Sequence, residues 1–148
     1  MMIWPDFNVD GDLPPGIHQA TLGDVLDHFG KETLQRQVMA RRLEQIYSLA
    51  TGTGHLARFI IFGSFVTTKS DPGDIDIFLL MDNAFDVSLV ADEAAFIFDH
   101  IVSQNYEGAS IFWIRRLAAL EGEEATIAHW QTKRDGSLRG IVEVITND

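Results

Sequence analysis

The sequence predicts a mixed α/β (α+β) domain in which one small sheet is flanked by helices. Two observations predict this class. Residues 32–50 repeat apolar side chains at three- and four-residue steps, the spacing of an amphipathic helix. Three short apolar runs have the length of strands, namely Leu56–Phe62, Ile75–Met81 and 109–114, and a segment of helical spacing lies between the last two. We expect the 148 residues to form one domain, covering 1–148.

The first third of the chain is predicted to be an extended arm followed by two helices. Three of the four prolines fall in residues 1–16, so residues 1–20 are interpreted as an extended N-terminal arm. Thr21 and Asp24 have capping-box spacing and predict a short helix that Gly30 ends. The apolar face of the second helix would comprise Leu34, Val38, Leu43, Ile46, Tyr47 and Ala50. Its solvent face would include most of Arg36, Arg41, Arg42 and Glu44.

The rest of the chain alternates between predicted strands and helices. Leu56–Phe62 is nearly continuously apolar, which is typical of a strand buried on both faces. A turn over residues 71–74 separates it from a second strand, Ile75–Met81. Helical spacing covers residues 87–104, with a buried stripe at Val90, Ala94, Phe98 and Ile101. Part of 117–130 is also predicted to be helical, and Asp135-Gly136 predicts a turn between two extended segments of residues 130–145.

The composition argues against several classes of protein. Twenty-two acidic against 11 basic side chains give a net charge of −11, so we expect no direct contact with nucleic acid, which needs clustered Lys and Arg. The absence of cysteine excludes disulfides, zinc–thiolate sites and thiol nucleophiles. No apolar stretch approaches the roughly 20 residues that span a bilayer, and no secretory leader is evident. The expectation is a cytoplasmic protein without membrane contact.

Two aspartates stand where hydrophobic packing alone would not place them. Asp74 and Asp76 open the apolar run Ile75–Met81. Alternate residues of a strand share a face, so both carboxylates should project from one side while Ile75 and Ile77 enter the core. Like charges this close repel each other, and a divalent cation such as Mg²⁺ would remove that cost. The pair is therefore the candidate catalytic and metal-binding site, although Asp74 on its own also suits a turn.

The end of the preceding strand suits phosphate binding. The run Leu56–Phe62 is followed by Gly63-Ser64, and glycine lets a backbone approach a phosphate closely. Ser64 adds a hydroxyl donor. Lys69, in the loop before Asp74, can reach a triphosphate as a point charge, although a solvated loop lysine is the commoner case.

These residues resemble the signature of the nucleotidyltransferase fold of the DNA polymerase β superfamily. That signature is an apolar strand, Gly-Ser, about ten residues, and Asp-x-Asp on the next strand, which match Gly63, Ser64, Asp74 and Asp76. More narrowly, the chain looks like a family of small uncharacterised bacterial proteins of this fold. The matching segments are residues 13–18, 63–76 and 140–142.

The resemblance implies Mg²⁺ as cofactor and a nucleoside triphosphate as substrate. In active members the Asp-x-Asp pair, here Asp74 and Asp76, holds two Mg²⁺ ions that position the α-phosphorus for attack by a hydroxyl group. Gly63 and Ser64 would hold the β- and γ-phosphates. The products would be a nucleotide monophosphate ester and pyrophosphate.

One departure from the superfamily pattern bears on activity. The resemblance implies a third carboxylate on a neighbouring strand, and Ser110 occupies that place here. Serine is a poor base near neutral pH, and Glu107 and Glu143 are the remaining candidates. The alternative hypothesis is therefore a catalytically degenerate binding or regulatory module that works with a protein partner, as in a toxin–antitoxin or defence pair. A plain structural domain is a third option.

The other chemistry-bearing side chains are interpreted as structural. The five histidines show no ligand spacing, so none is expected to bind metal or to be catalytic. Phe112, Trp113 and Trp130 are expected to belong to the core rather than to form platforms for a nucleobase.

Overall fold

The structure, a computed structural model, describes residues 2–90, 93–99 and 108–146. The strands of these residues are β1 (Ile17–Thr21), β2 (Leu56–Phe62), β3 (Ile75–Met81), β4 (Ala109–Arg115) and β5 (Ile141–Ile145). The α-helices are α1 (Leu22–Phe29), α2 (Leu34–Gly52), α3 (Ala94–Phe98) and α4 (Glu123–Ala128). The predicted mixed α/β class is confirmed.

One mixed sheet joins the strands in the order β1-β5-β2-β3-β4. Strand β2 is antiparallel to both β3 and β5, whereas β1 is parallel to β5 and β3 is parallel to β4. In this register Asp76 lies between Phe62 of β2 and Ser110 of β4. The end of β2 and the beginnings of β3 and β4 therefore meet at the same edge of the sheet.

The two faces of the sheet pack against different layers. The first face is covered by α1 and α2, and Ile75, Ile77 and Leu79 of β3 are fully buried there. The second face carries a smaller apolar cluster around Ile60, Phe78 and Leu80, against which α4 packs through Ile127. Because side chains alternate along a strand, Asp76 shares this second face with Phe78. The prediction that Ile75 and Ile77 enter the core is confirmed.

The N-terminal segment differs from the predicted arm at its end. Residues 17–21 form β1, an edge strand paired with β5, so only the residues before Ile17 lie outside the sheet. Leu13 is fully buried, and Gly140 donates a backbone hydrogen bond to its carbonyl (2.9 Å). The capping box is confirmed: Asp24 N–H donates to Thr21 Oγ1 (3.2 Å), and Thr21 N–H donates to Asp24 Oδ2 (3.3 Å).

Helix α2 is present, and its predicted core face is confirmed at Leu43, Ile46 and Ala50 but is wrong in the first two turns. It begins after Thr33, whose hydroxyl accepts the Arg36 N–H (3.1 Å). Leu34 is 76% exposed and Val38 is 50% exposed, whereas Arg36 is buried. The buried face follows Met39, Leu43, Ile46 and Ala50, because these residues share the helical phase that meets the sheet.

The long helix predicted over residues 87–104 is not seen in the described residues. A 3₁₀ turn over Val87–Leu89 and the short α3 stand in its place, and Asp99 after α3 has extended backbone. Asp86 accepts hydrogen bonds from the backbone N–H (3.0 Å) and hydroxyl (2.6 Å) of Ser88, which stabilise the turn. Residues 91–92 and 100–107 lie outside the described residues, and with them the prediction for Ile101.

The C-terminal turn and strand are confirmed. Gly136 adopts φ +86° and donates to the Lys133 carbonyl (3.0 Å). The flanking extended segments meet in a single bridge, Thr132 to Leu138, before β5 begins.

Among the helices described, none combines the length and the hydrophobicity that crossing a bilayer requires.

Candidate functional site at the β2–β3–β4 edge

A cavity of about 800 Å³ opens at the edge where β2 ends and β3 and β4 begin. Four of the five predicted site residues line it: Ser64, Lys69, Asp74 and Asp76. The fifth, Gly63, is buried directly behind Asp76. The fold thus brings together residues that the sequence places on two strands and a loop.

The two carboxylates share this cavity without a partner. Asp74 is exposed in the loop before β3, and Asp76 is half-buried at the second position of the strand. Neither carboxylate forms a hydrogen bond or an ion pair in the part of the chain that the structure describes. Burial, and then the charge of Asp74, raise the pKa of Asp76 to about 6, while Arg139 and Arg134 act in the opposite direction. A bound cation would stabilise the unpaired, partly buried carboxylate of Asp76 beside that of Asp74.

Gly63 is required by the position of Asp76. Its backbone adopts φ +79°, a conformation that side chains with a Cβ rarely adopt. A Cβ built on Gly63 would overlap Oδ2 of Asp76 and lie 3.0 Å from its Cγ. The sequence predicts that this glycine lets the backbone approach a phosphate closely. The structure adds that its missing side chain makes room for the Asp76 carboxylate.

The chain turns sharply after Gly63. Residues Ser64–Val66 form a 3₁₀ turn, and the Thr67 hydroxyl donates to the Ser64 carbonyl (2.7 Å). The chain then passes Lys69, which is exposed, and reaches Asp74. We call residues 64–69 the phosphate loop, after the role that the sequence predicts for Ser64 and Lys69.

Arg36 holds the phosphate loop and was missed by the sequence argument, which placed it on the solvent face of α2. Only 2% of this residue is exposed. Its guanidinium donates to the carbonyls of Phe65 (2.7 Å) and Thr67 (2.7 Å) in the loop, to that of Lys69 (3.2 Å from Nε), and to that of Phe29 (3.0 Å). The sequence does contain a signal for this burial: Arg36 lies at helical spacing from Met39, Ala40 and Leu43, which are on the buried face.

Aromatic side chains form another part of the cavity wall. Trp130 packs against Phe62 (ring centroids 4.5 Å apart) and Phe112 (5.5 Å), and all three line the cavity. Trp130 and Phe112 were expected in the core. They do pack against the smaller apolar cluster, but they also border the cavity beside Asp76. Trp113 packs against the larger core and donates from Nε1 to the Phe98 carbonyl (3.0 Å).

Among the described residues, neither β4 nor β5 brings a third carboxylate to the pair, although Asp135 lines the same cavity. Ser110 lies in register with Asp76 and lines the cavity, in the place where an acid was sought. Glu143 is on β5, which β2 separates from β3, and Arg58 binds both of its oxygens (2.8 Å each). Glu143 is therefore engaged elsewhere and does not serve the Asp74/Asp76 pair. Glu107 lies outside the described residues, and within them no group of three acidic or histidine side chains could hold a metal.

Comparisons with known proteins give a family but no function. The model of a family of unknown function (DUF6932) matches residues 5–145, which is nearly the whole chain. No curated protein and no solved structure matches.

Proposed function

The chain belongs to this family of unknown function, and from the geometry of its cavity we propose that it binds Mg²⁺ together with a nucleoside triphosphate, in the manner of a nucleotidyltransferase. One observation carries the proposal: Asp74 and Asp76 share a cavity with the phosphate loop and have no partner among the described residues. Unpaired carboxylates cost stability unless something compensates them. A hard divalent cation with oxygen ligands supplies that compensation.

Each residue has a defined role in this proposal. Asp74 and Asp76 hold the metal, Ser64 and Lys69 contact phosphate oxygens, and Gly63 leaves space for the Asp76 carboxylate. Bound Mg²⁺ would neutralise charge that develops on the phosphates. In the reaction such a site would serve, an acceptor hydroxyl oxygen bonds to the α-phosphorus, the bond from that phosphorus to the β-bridging oxygen breaks, pyrophosphate leaves and the hydroxyl proton passes to solvent.

Titration calorimetry with ATP and with GTP in the presence of Mg²⁺ tests the binding. The wild-type chain should bind one of them, and Asp76→Asn should weaken that binding at least tenfold. Asp71→Asn is the matched control, since Asp71 is an exposed carboxylate of the same loop that does not line the cavity. Equal heats from the wild type and from Asp76→Asn would reject the site.

A second candidate function is a non-catalytic module that binds the nucleotide and acts on a protein partner. Ser110 in register with Asp76, and Glu143 held by Arg58, favour it, because neither of these two positions then supplies a base for the acceptor hydroxyl. Incubation with labelled nucleoside triphosphates and a cell lysate separates the two functions. A labelled product that is lost in Asp74→Ala supports the enzyme, whereas nucleotide binding without any labelled product supports the module.

A further inference from the structure

Basic side chains are concentrated in one place in this acidic protein. The chain has 11 Lys and Arg residues against 22 Asp and Glu. Four of the 11 line the cavity of Asp74 and Asp76, namely Lys69, Lys133, Arg134 and Arg139. Three of these four come from residues 132–139, which we call the basic turn. The proposed function as stated above uses none of those three.

The basic turn has a defined backbone. Lys133 N–H donates to the Ser137 carbonyl (2.8 Å), and Gly136 N–H donates to the Lys133 carbonyl (3.0 Å). The Asp135 carboxylate accepts hydrogen bonds from the Ser137 backbone N–H (2.9 Å) and hydroxyl (2.6 Å). Arg139 N–H donates to the Gln131 carbonyl (2.9 Å), which closes the turn. The cations are therefore carried by a closed, hydrogen-bonded segment.

A buried carboxylate ties this turn to the phosphate loop. The Asp12 side chain is only 7% exposed and accepts a hydrogen bond from Lys133 Nζ (2.9 Å), with Arg139 Nη1 3.9 Å away. The backbone of Asp12 pairs with Thr67, and Thr68 N–H donates to the Gly11 carbonyl (2.9 Å). Asp12 therefore positions two cations of the basic turn beside the loop that carries Ser64 and Lys69.

The basic turn carries three cations, Lys133, Arg134 and Arg139, against two neighbouring anions, Asp12 and the cavity-lining Asp135. Asp12 supplies one negative charge to Lys133 and Arg139, and its distance to Arg139 is long for an ion pair. Arg134 is exposed and has no ion pair in the described residues. The turn therefore keeps a surplus of one positive charge, which favours an anionic ligand at this wall of the cavity, and an arginine fork suits phosphate oxygens.

We propose that the basic turn is a second phosphate-binding wall, which makes the cavity selective for nucleoside triphosphates over nucleoside monophosphates. The inference rests on the proposed function and extends it. A chain of three phosphates carries more negative charge and more oxygens than a single phosphate. It can therefore bind the Asp74/Asp76-bound metal and the cations of residues 132–139 at the same time, whereas a monophosphate offers only one phosphoryl group to both.

Titration calorimetry with MgATP, MgADP, AMP with Mg²⁺, and magnesium tripolyphosphate tests this selectivity. The wild-type chain should bind ATP and tripolyphosphate at least tenfold more tightly than AMP. Arg134→Gln and the double variant Arg134→Gln/Arg139→Gln should lose tenfold or more in affinity for ATP and tripolyphosphate, and should bind AMP as the wild type does. Arg134 is exposed, so its replacement leaves the fold intact even if the Arg139 change does not. Arg41→Gln, an exposed arginine of α2 outside the cavity, is the matched control.

The failures of the two proposals are distinguishable. If the wild type binds MgATP but the basic-turn variants bind it equally well, or if AMP binds as tightly as ATP, the second wall is rejected and the metal–nucleotide site stands. If the wild type binds none of the four ligands, both proposals are rejected.

Discussion

At position 63 both the backbone conformation and a neighbouring carboxylate require glycine. The φ of +79° would cost a residue with a Cβ roughly 1–2 kcal/mol, and the Cβ would also overlap the Asp76 carboxylate. We expect Gly63→Ala to lower the free energy of unfolding by about 2 kcal/mol or more, measured by urea denaturation. It should also abolish metal-dependent stabilisation, because Asp76 must move.

Gly73→Ala is the control for this prediction. Gly73 lies in the loop before Asp74, has no positive φ, and a Cβ there would meet nothing within 4 Å. Its replacement should change the free energy of unfolding by no more than about 0.5 kcal/mol. Similar losses in both variants would contradict the role assigned to Gly63.

The raised pKa of Asp76 makes the stability of the protein depend on pH. Its pKa in the folded chain is raised to about 6 by burial and by Asp74, from about 3.9 in the unfolded chain. The folded state therefore holds the proton more tightly, and stability falls as the pH rises from about 4 to about 6. The ionised carboxylate should destabilise the metal-free protein by about 1–2 kcal/mol at pH 7.5, a figure reduced for its partial exposure.

Asp76→Asn removes this dependence. Urea denaturation without metal should show the variant to be more stable than the wild type at pH 7.5, with the difference largely gone at pH 4.5. Mg²⁺ should stabilise the wild type at pH 7.5 and leave the variant unchanged. A constant difference between the two proteins across this pH range would contradict the raised pKa.

At the level of elements, α2 supports the site through one side chain. Arg36 reaches from the helix to the backbone carbonyls of the phosphate loop, which the loop itself leaves without partners. Arg36→Met should lower the free energy of unfolding by about 3 kcal/mol or more, because several buried carbonyls lose their donor. Urea denaturation measures this loss, and limited proteolysis should show earlier cleavage within residues 64–69.

The matched change is Arg41→Met, at an exposed arginine of the same helix. It removes the same charge without any buried hydrogen bond, so we expect a change of about 0.5 kcal/mol or less. Arg36→Lys should recover only part of the loss, since one ammonium group cannot reproduce the planar arrangement of guanidinium donors. An Arg36→Met protein as stable as Arg41→Met would show that the loop holds its own conformation.

At the level of the whole molecule, local patterns explain which features could be predicted from the sequence. Short apolar runs predict β2 and β3. Because these two strands pair in antiparallel fashion, Ser64 after β2 lies near Asp74 and Asp76 at the start of β3, and this grouping could also be predicted. β1 was missed because its partner β5 is more than 100 residues away and its sequence, IHQAT, has no strand pattern.

The turn at Asp135-Gly136 was predicted, but the position of the basic turn and of Asp12 beside the cavity could not be, for a related reason. Lys133 and Arg139 lie more than 50 residues from Asp76 in the chain, and only the pairing of β5 with β2 returns this segment to the cavity. Arg36 was assigned to solvent because periodicity arguments count arginine as polar, whereas a buried guanidinium surrounded by carbonyls is stable. Contacts between distant segments, rather than local preferences, decided these positions.

If the proposed function holds, Ser110 of β4 is the position at which a nucleotide-binding module and an enzyme are expected to differ. Ser110 faces the cavity in register with Asp76, where neighbouring strands lie about 4.8 Å apart. We expect Ser110→Asp to place a third carboxylate beside Asp74 and Asp76. Without metal the added repulsion should lower the melting temperature below that of the wild type, and Mn²⁺ or Mg²⁺ should raise it by more than in the wild type.

Ser110→Asn is the control, because asparagine has nearly the size of aspartate without its charge. Calorimetric titration with Mn²⁺ should show at least tenfold tighter binding to Ser110→Asp than to Ser110→Asn. With a nucleoside triphosphate present, the aspartate variant should also release pyrophosphate faster than the wild type, since the site then has a group that can accept the proton of an attacking hydroxyl or water. Identical metal affinities in the aspartate and asparagine variants would mean that Ser110 does not face the metal position, and β4 would then have no part in the site.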